Sequence, residues 1–340
     1  MPVDDRARRR RVVKISGGAM NLGDRIAKNA DDVDREGRGL DFLWVELTNR
    51  CNLRCVHCYT ESHPASGHRD VLTAVDYESL MVDAYRIGCR RIQFIGGEPQ
   101  LSRDFMRLLS RANEIGFEFI EVFTNLTRLT EDVLRFAELN GICFATSVYS
   151  YDPAAHDAIT TVRTSHARTI ANLKRLINSG VTTRAAMINI RQDESEIGRT
   201  RQFLEDLGVG SVRGSHVREF GRGEAVTGGR ARMSALCGHC WDGKLCVAPD
   251  GVVYPCVMAR QWPVGNILDE SLAEIVDGMR LKDTRKDIFE TAWLPKIDDC
   301  APCEQSCDPD SSSCSPHYCN PTQCPQSCTP QWDCMPDVPR

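Results

Sequence analysis

From about residue 42 to 215, short apolar runs alternate with stretches whose apolar side chains recur every three or four positions. The first pattern predicts strands and the second amphipathic helices. Phe42-Leu43-Trp44-Val45-Glu46-Leu47 reads as the first strand, and a helix starting near Thr73 carries Tyr77, Leu80, Met81 and Ala84 on one face before stopping at Gly88. Strand two is Arg91-Ile92-Gln93-Phe94-Ile95. The helix after it begins at Ser102, buries Phe105, Leu108, Leu109 and Ala112, and ends at Gly116. Strand three spans Phe119 to Phe123, and a helix opens at Thr130. Strand four runs about Cys143 to Val148, followed by a helix with Ile170, Leu173 and Ile177 that closes at Gly180. A fifth strand (Arg184 to Asn189), a helix through Phe203, Leu204 and Leu207, and a sixth strand near Val212 complete the series. Six such repeats predict an α/β fold with a parallel sheet. Six fall short of the eight that close a barrel, so an open, partial (β/α)6 barrel is expected.

The flanks divide the rest of the chain. Residues 1–38 are a polar, charged arm with an arginine run (Arg6, Arg8, Arg9, Arg10, Arg11) and no apolar stretch behind it, so no secretory signal is expected there. The barrel is assigned to 39–215, a Gly- and Arg-rich linker to 216–236, a small Cys-rich domain to 237–307, and a Cys/Pro-rich tail to 308–340. No apolar run is long enough to span a bilayer, and a net charge of −5 gives no reason to expect nucleic acid. A cytoplasmic protein with neither a membrane nor a nucleic-acid partner is expected. Of the 17 cysteines, five lie before residue 237 and twelve run from Cys237 to Cys334, an odd total that points to metal ligation rather than a disulfide framework.

Cys51-x3-Cys55-x2-Cys58 follows the first strand directly, at the rim where α/β barrels carry their chemistry. Three thiolates from one loop can hold three irons of a cubane and leave the fourth iron open to a small molecule. The alternative is a zinc knuckle with His57 as fourth ligand. Strand two ends in Gly96-Gly97-Glu98-Pro99, where two glycines would let the backbone approach a ligand. Thr124 and Asn125 end strand three and Ser147 lies near the end of strand four; turn and cap hydrogen bonding is their alternative role. Cys89 and Cys143 stand outside any pair and read as buried, inert thiols. Further on come Cys237-x2-Cys240-x5-Cys246 and Gly251-x4-Cys256, with Asp250-Gly251 as a hairpin turn that would bring Cys246 and Cys256 together. Cys300-x2-Cys303-x3-Cys307, Cys314 and Cys319 complete the series, and zinc remains an alternative for either group.

The cysteine loop in its setting Glu46-Leu47-Thr48-Asn49-Arg50-Cys51-Asn52-Leu53-Arg54-Cys55, followed one repeat later by Gly96-Gly97-Glu98-Pro99, resembles the radical S-adenosylmethionine (SAM) superfamily. The resemblance covers about residues 42 to 307, and its C-terminal part is similar to the SPASM extension that holds auxiliary iron–sulfur clusters. It implies a [4Fe–4S] cluster on Cys51, Cys55 and Cys58. SAM would bind the open iron and be cleaved reductively to a 5′-deoxyadenosyl radical that takes hydrogen from a substrate. Glu98 would accept from the SAM ammonium, and Gly96, Gly97, Thr124, Asn125 and Ser147 would contact SAM. It also implies one or two auxiliary [4Fe–4S] clusters. Cys240, Cys246 and Cys256 are the first choice for one, with Cys237 as a rival ligand; Cys300, Cys303 and Cys307, with Cys314 or Cys319, would supply the other.

The function this implies is maturation of a ribosomally made peptide, served by a low-potential flavodoxin- or ferredoxin-type electron donor. The 38 residues before strand one are short for a leader-binding domain, so a separate recognition protein is expected. The alternatives are the same radical chemistry on a sugar or nucleoside, ending in dehydrogenation or decarboxylation, and an iron–sulfur electron-transfer or sensor protein without turnover. Tyr149, Tyr151 and His156 after strand four, with His216 and Arg218 after strand six, are the candidates for substrate contact.

Overall fold

The computed structural model of the chain describes residues 39–190 and 192–298. Six strands lie side by side in parallel: β1 (Phe42–Glu46), β2 (Arg91–Ile95), β3 (Phe119–Phe123), β4 (Cys143–Ser147), β5 (Thr183–Asn189) and β6 (Ser211–His216). Side chains alternate across a strand. Leu43, Val45, Ile92, Phe94, Ile120, Val122, Phe144 and Ala185 therefore enter the apolar core under the helices. Their neighbours Trp44, Gln93, Ile95, Phe123, Ser147, Arg184 and Ala186 line a cavity on the opposite face. One face holds the fold together and the other carries the chemistry.

The helices follow the sequence closely. In α1 (Ala74–Arg86), Thr73 and Asp76 form a capping box, and Tyr77, Leu80, Met81 and Ala84 are buried. α2 (Phe105–Ile115) starts three residues later than the Ser102 expected, because Pro99–Leu101 wind first into a 3-10 turn that Ser102 ends. α3 (Glu131–Asn140) is capped by Thr130. α4 (Pro153–Thr160) has no counterpart in the sequence reading, although Asp152-Pro153 is its start signal: the Asp152 carboxylate accepts from the Ala154 and Ala155 amides, and proline takes the first turn. α5 (Ser165–Asn178) and α6 (Glu194–Asp206) complete the barrel layer.

Two expectations change. β7 (Lys244–Val247), expected only as a hairpin arm in a separate domain, pairs in parallel with β1, in the register Leu43 to Leu245 and Val45 to Val247. β8 (Val252–Tyr254) and β9 (Gly265–Asn266) add antiparallel, so the sheet runs β6-β5-β4-β3-β2-β1-β7-β8-β9. The Cys-rich region thus begins inside the barrel's own sheet. Within the hairpin, Tyr254 rather than Cys256 stands opposite Cys246. Residues 216–236, expected as a linker, hold the end of β6, the short helix α7 (Gly223–Thr227) and a 3-10 turn at Met233–Ala235. They also pack on the cysteine loop, as described below. Helices α8 (Leu272–Asp277), α9 (Met279–Ile288) and α10 (Leu294–Asp298) follow, with one π turn at Phe289–Trp293. No described helix is long and apolar enough to cross a membrane. The arm 1–38 and the cysteines from Cys300 onward lie outside the described residues.

An ion pair fastens the two regions. The Glu46 carboxylate at the end of β1 is buried and meets the Arg260 guanidinium, which also lies 5.8 Å from the Tyr59 ring centroid and 5.5 Å from that of Tyr254. Removing one partner of a buried pair leaves an uncompensated charge, which costs about 3–5 kcal/mol. Arg260→Met is therefore expected to lower the denaturant midpoint of the intact protein strongly. A wild-type midpoint would show that the pair contributes nothing to the union of the two regions.

Candidate active site

The cysteine loop leaves the end of β1 and is tied down along its length. Asp70 accepts from the Thr48 hydroxyl (2.6 Å) and the Asn49 amide (2.8 Å). The Arg54 and Val56 amides donate to Thr160 and Ile159 at the end of α4, at 3.1 and 3.0 Å. This brings Cys51, Cys55 and Cys58 to the wall of one cavity of about 250 Å³ at the C-terminal ends of the strands. None of the three is in a disulfide.

Each sulfur has a donor or hydroxyl beside it. The Leu53 amide reaches Cys51 Sγ at 3.4 Å and Asn125 Nδ2 at 3.7 Å; the Tyr149 hydroxyl reaches Cys55 Sγ at 3.8 Å; Thr60 Oγ1 lies 3.2 Å from Cys58 Sγ. Burial pushes the Cys51 and Cys55 thiols up to about 12. As thiolates they need a neighbouring cation, which iron supplies. Among the described residues no three Cys, His, Asp or Glu side chains converge on a point for a single metal ion. His57 is held neutral, pushed down to about 4 by burial and then by the Arg222 charge, and its ring packs on Tyr149 at 5.0 Å. Because His57 and the thiols do not converge on one point, the loop fits a multi-iron cluster better than a zinc knuckle closed by His57.

Gly96 and Gly97 owe their identity to this loop. A Cβ on Gly96 would sit 2.8 Å from the Thr48 carbonyl oxygen, and one on Gly97 would sit 2.3 Å from that of Arg50. The Gly97 and Glu98 amides donate to those same carbonyls at 2.8 and 2.9 Å. The sequence predicted close approach to a ligand; the approach found here is to the loop backbone, and both glycines also line the cavity.

Glu98 is engaged by the protein itself. Its carboxylate is buried and does not line the cavity: Oε1 accepts from the Thr124 hydroxyl (2.6 Å) and the Gln100 amide (3.2 Å), and Oε2 accepts from the Asn125 amide (2.8 Å). Burial raises its pKa, and these donors oppose the shift. Asn125 passes the fastening on, donating from Nδ2 to Asn52 Oδ1 at 2.7 Å beside Cys51. A chain of short bonds thus runs from Glu98 to the first cysteine.

Thr124, Asn125 and Ser147 all line the cavity. So do Tyr149, His156, His216 and Arg218, whereas Tyr151 turns away, under Arg199 at 5.1 Å. His156 Nδ1 accepts from the Tyr149 amide at 3.3 Å, and burial holds the ring neutral, down to about 4. The sequence reading missed Trp44, Gln93, Arg184 and Arg213, which also face the cavity. Arg184 grips Glu121 with two bonds of 2.8 Å, and Gln93 also donates to Glu121. A signal was present: Gln93, Glu121 and Arg184 are polar intrusions at alternate positions of otherwise apolar strands.

Among the later cysteines, Cys237, Cys240, Cys246 and Cys256 are all buried. Cys240 hydrogen-bonds with Cys237 and Cys256, so the trio brought together contains the rival ligand Cys237. Cys246, registered beside Trp44, follows the strand pleat to the inner face and meets Glu46, with Arg260 and Cys256 nearby. Cys300, Cys303, Cys307, Cys314 and Cys319 lie outside the described residues. Cys89 is buried in the core as expected, whereas Cys143 is only half-buried.

An open parallel barrel with three unpaired thiols at its strand ends, joined to a Cys-rich hairpin, is the scaffold of an iron–sulfur protein with an accessible cluster. Residues 45–204 belong to the radical SAM superfamily, whose profile they match, and residues 237–308 match the SPASM iron–sulfur cluster-binding domain. The chain is similar to the antilisterial bacteriocin subtilosin biosynthesis protein AlbA of Bacillus subtilis, with 26% identity over 68% of this chain and 58% of that protein. A probable GTP 3′,8-cyclase of Methanothermobacter thermautotrophicus is 38% identical over 28% of this chain and 31% of its own length. The chain thus spans less than two thirds of either relative. Crystallised SuiB of Streptococcus suis, bound to the precursor peptide SuiA, shares the fold with a TM-score of 0.62 at 14% identity, over 84% of this chain and 80% of that one.

Two outcomes are expected of the site. Glu98→Gln sets an amide N–H₂ against the Asn125 N–H or into the Thr124–Gln100 network, leaving a buried donor unpaired at a cost of about 1–3 kcal/mol. The thermal midpoint should fall, and less than additively when Thr124→Val is added; a strictly additive double variant would break the link. For His156 the sign follows from a depressed folded pKa. The unfolded ring takes up its proton below about 6.5, the folded ring only near about 4, so stability is lost as pH falls through that window. His156→Gln should lose less stability between pH 7 and pH 5 than the parent; equal losses would exclude the ring as a contributor.

Proposed function

We propose that the chain is a radical SAM enzyme in which Cys51, Cys55 and Cys58 hold a [4Fe–4S] cluster and the adjoining cavity receives SAM and then a peptide substrate. One arrangement carries this reading: three unpaired thiols of a single loop share a cavity with Gly96, Gly97, Thr124, Asn125 and Ser147. Bound there, the cluster would supply the electron for reductive cleavage of SAM, the chemistry that yields a hydrogen-abstracting radical. The chain's own residues position and shield. Glu98 orders Thr124 and Asn125 from behind. Trp44, Phe123, Ile188, Phe220, Val257 and Met258 give the cavity apolar surfaces that exclude water from reactive species. Arg184, braced by Glu121, offers a cation suited to a carboxylate such as that of SAM.

The peptide reading draws support from the bacteriocin biosynthesis named for the Bacillus relative and from the precursor peptide held by SuiB. Chemistry on a nucleotide, as named for the cyclases, rests on matches over 27% to 56% of this chain, against 68% for the Bacillus relative. The buried Cys237, Cys240 and Cys256, with Cys246 beside them, would begin an auxiliary cluster, and Cys300, Cys303, Cys307 and Cys314 or Cys319 remain candidates for the other ligands. We further assign a low-potential flavodoxin or ferredoxin as electron source, and a cytoplasmic site of action.

The test is product formation. Anaerobically reconstituted protein with SAM and dithionite should release 5′-deoxyadenosine, and replacement of Cys51, Cys55 and Cys58 by Ala together should abolish it while substantial iron stays bound elsewhere. Undiminished 5′-deoxyadenosine from the triple variant would refute the assignment of these ligands.

A further inference from the structure

The stretch Phe220-Gly221-Arg222-Gly223, in the segment that composition marks as a linker, is seated on the back of the cysteine loop. The Arg222 amide donates to the Cys58 carbonyl at 3.0 Å. Its guanidinium donates through Nε to the Cys55 carbonyl at 2.8 Å and through Nη2 to the Ser62 carbonyl at 2.9 Å. One residue thus holds three carbonyls of the loop, two of them on the thiol-bearing Cys55 and Cys58. The flanking glycines make the seat possible. A Cβ on Gly221, whose φ is +52°, would meet the Tyr59 carbonyl oxygen at 2.5 Å and that of Cys58 at 2.7 Å, and one on Gly223 would meet the Arg218 carbonyl oxygen at 2.1 Å. Phe220 anchors the turn, 2% exposed and packed edge-on to Trp262.

We propose that Arg222 is a positioning residue for the cluster, fixing the Cys55–Cys58 segment through these bonds and raising the cluster's reduction potential through its permanent charge. An added electron makes the cluster more negative, so a guanidinium fixed nearby favours the reduced form. Lysine would keep the charge without the fork, and glutamine would keep donors without the charge.

This inference rests on Cys51, Cys55 and Cys58 being the cluster's ligands. The test is an EPR-monitored redox titration of the anaerobically reconstituted full chain, following the iron–sulfur signal that changes when SAM is added. Arg222→Met and Arg222→Gln are each expected to lower the ratio of reduced to oxidised cluster about ten-fold at a fixed potential, a shift of about 59 mV for one electron. Arg222→Lys is expected to stay near the parent. Loss of the SAM-responsive cluster from Met and Gln variants with retention in Lys also supports the proposal. Parent-like potentials in Met and Gln, a Lys variant shifted as far as Met, or a cluster lost equally from all three overturns it. A parent protein whose iron signal ignores SAM speaks instead against the reading of the site.

Discussion

The backbone of Thr48 to Arg50 can lie against the end of β2 only because Gly96 and Gly97 carry no side chains. With Cβ distances of 2.8 and 2.3 Å to carbonyl oxygens, no other residue fits either position without moving the loop. The contact places the start of the cysteine loop, and the two amide bonds across it fix its direction. Glu98, the next residue, is thereby directed inward to collect Thr124 and Asn125 from the end of β3. Asn125 reaches Asn52 and the Cys51 sulfur. Geometry at the reactive end of the barrel is therefore decided by a glycine pair and one buried carboxylate.

That loop is held from two more sides. α4 receives the Arg54 and Val56 amides through its last carbonyls, and the turn at Gly221 to Gly223 receives the Cys55 and Cys58 carbonyls through Arg222. A loop carrying three thiols without regular structure of its own needs such external bonding, since its backbone groups have no ladder to satisfy them. The Cys-rich region is likewise no loose appendage among the described residues. β7 extends the sheet from β1, and the Glu46–Arg260 pair sits at the junction, flanked by Tyr59 from the loop and Cys246 from the strand.

Much of this was legible in the chain. The alternation of apolar runs and helical periodicity located six strands and most of the helices, because each strand buries one face under helices whose own stripes are regular. The cysteine spacing and the Gly-Gly-Glu-Pro motif marked the site for the same reason: ligation and close approach constrain residue type strongly. What the chain concealed depends on contacts distant in sequence. The pairing of β7 with β1 joins residues on opposite sides of the whole barrel, and no local pattern distinguishes it from an ordinary hairpin arm. The direction of the Glu98 carboxylate was not legible, because a carboxylate at a strand end can face either way, and here it turns to the Thr124 and Asn125 donors. Arg222 was hidden in a Gly- and Arg-rich stretch whose composition resembles a flexible linker.

The central claim is that the loop presents a cluster with one iron open to the cavity, and that SAM occupies that position. The most direct measurement is electron–nuclear double resonance on the reduced, anaerobically loaded protein, with SAM labelled by ¹⁵N in the amino group and ¹⁷O in the carboxylate. The account predicts hyperfine coupling of both labels to the cluster in the parent protein. A fully iron-loaded protein that binds SAM without coupling to either label would contradict it.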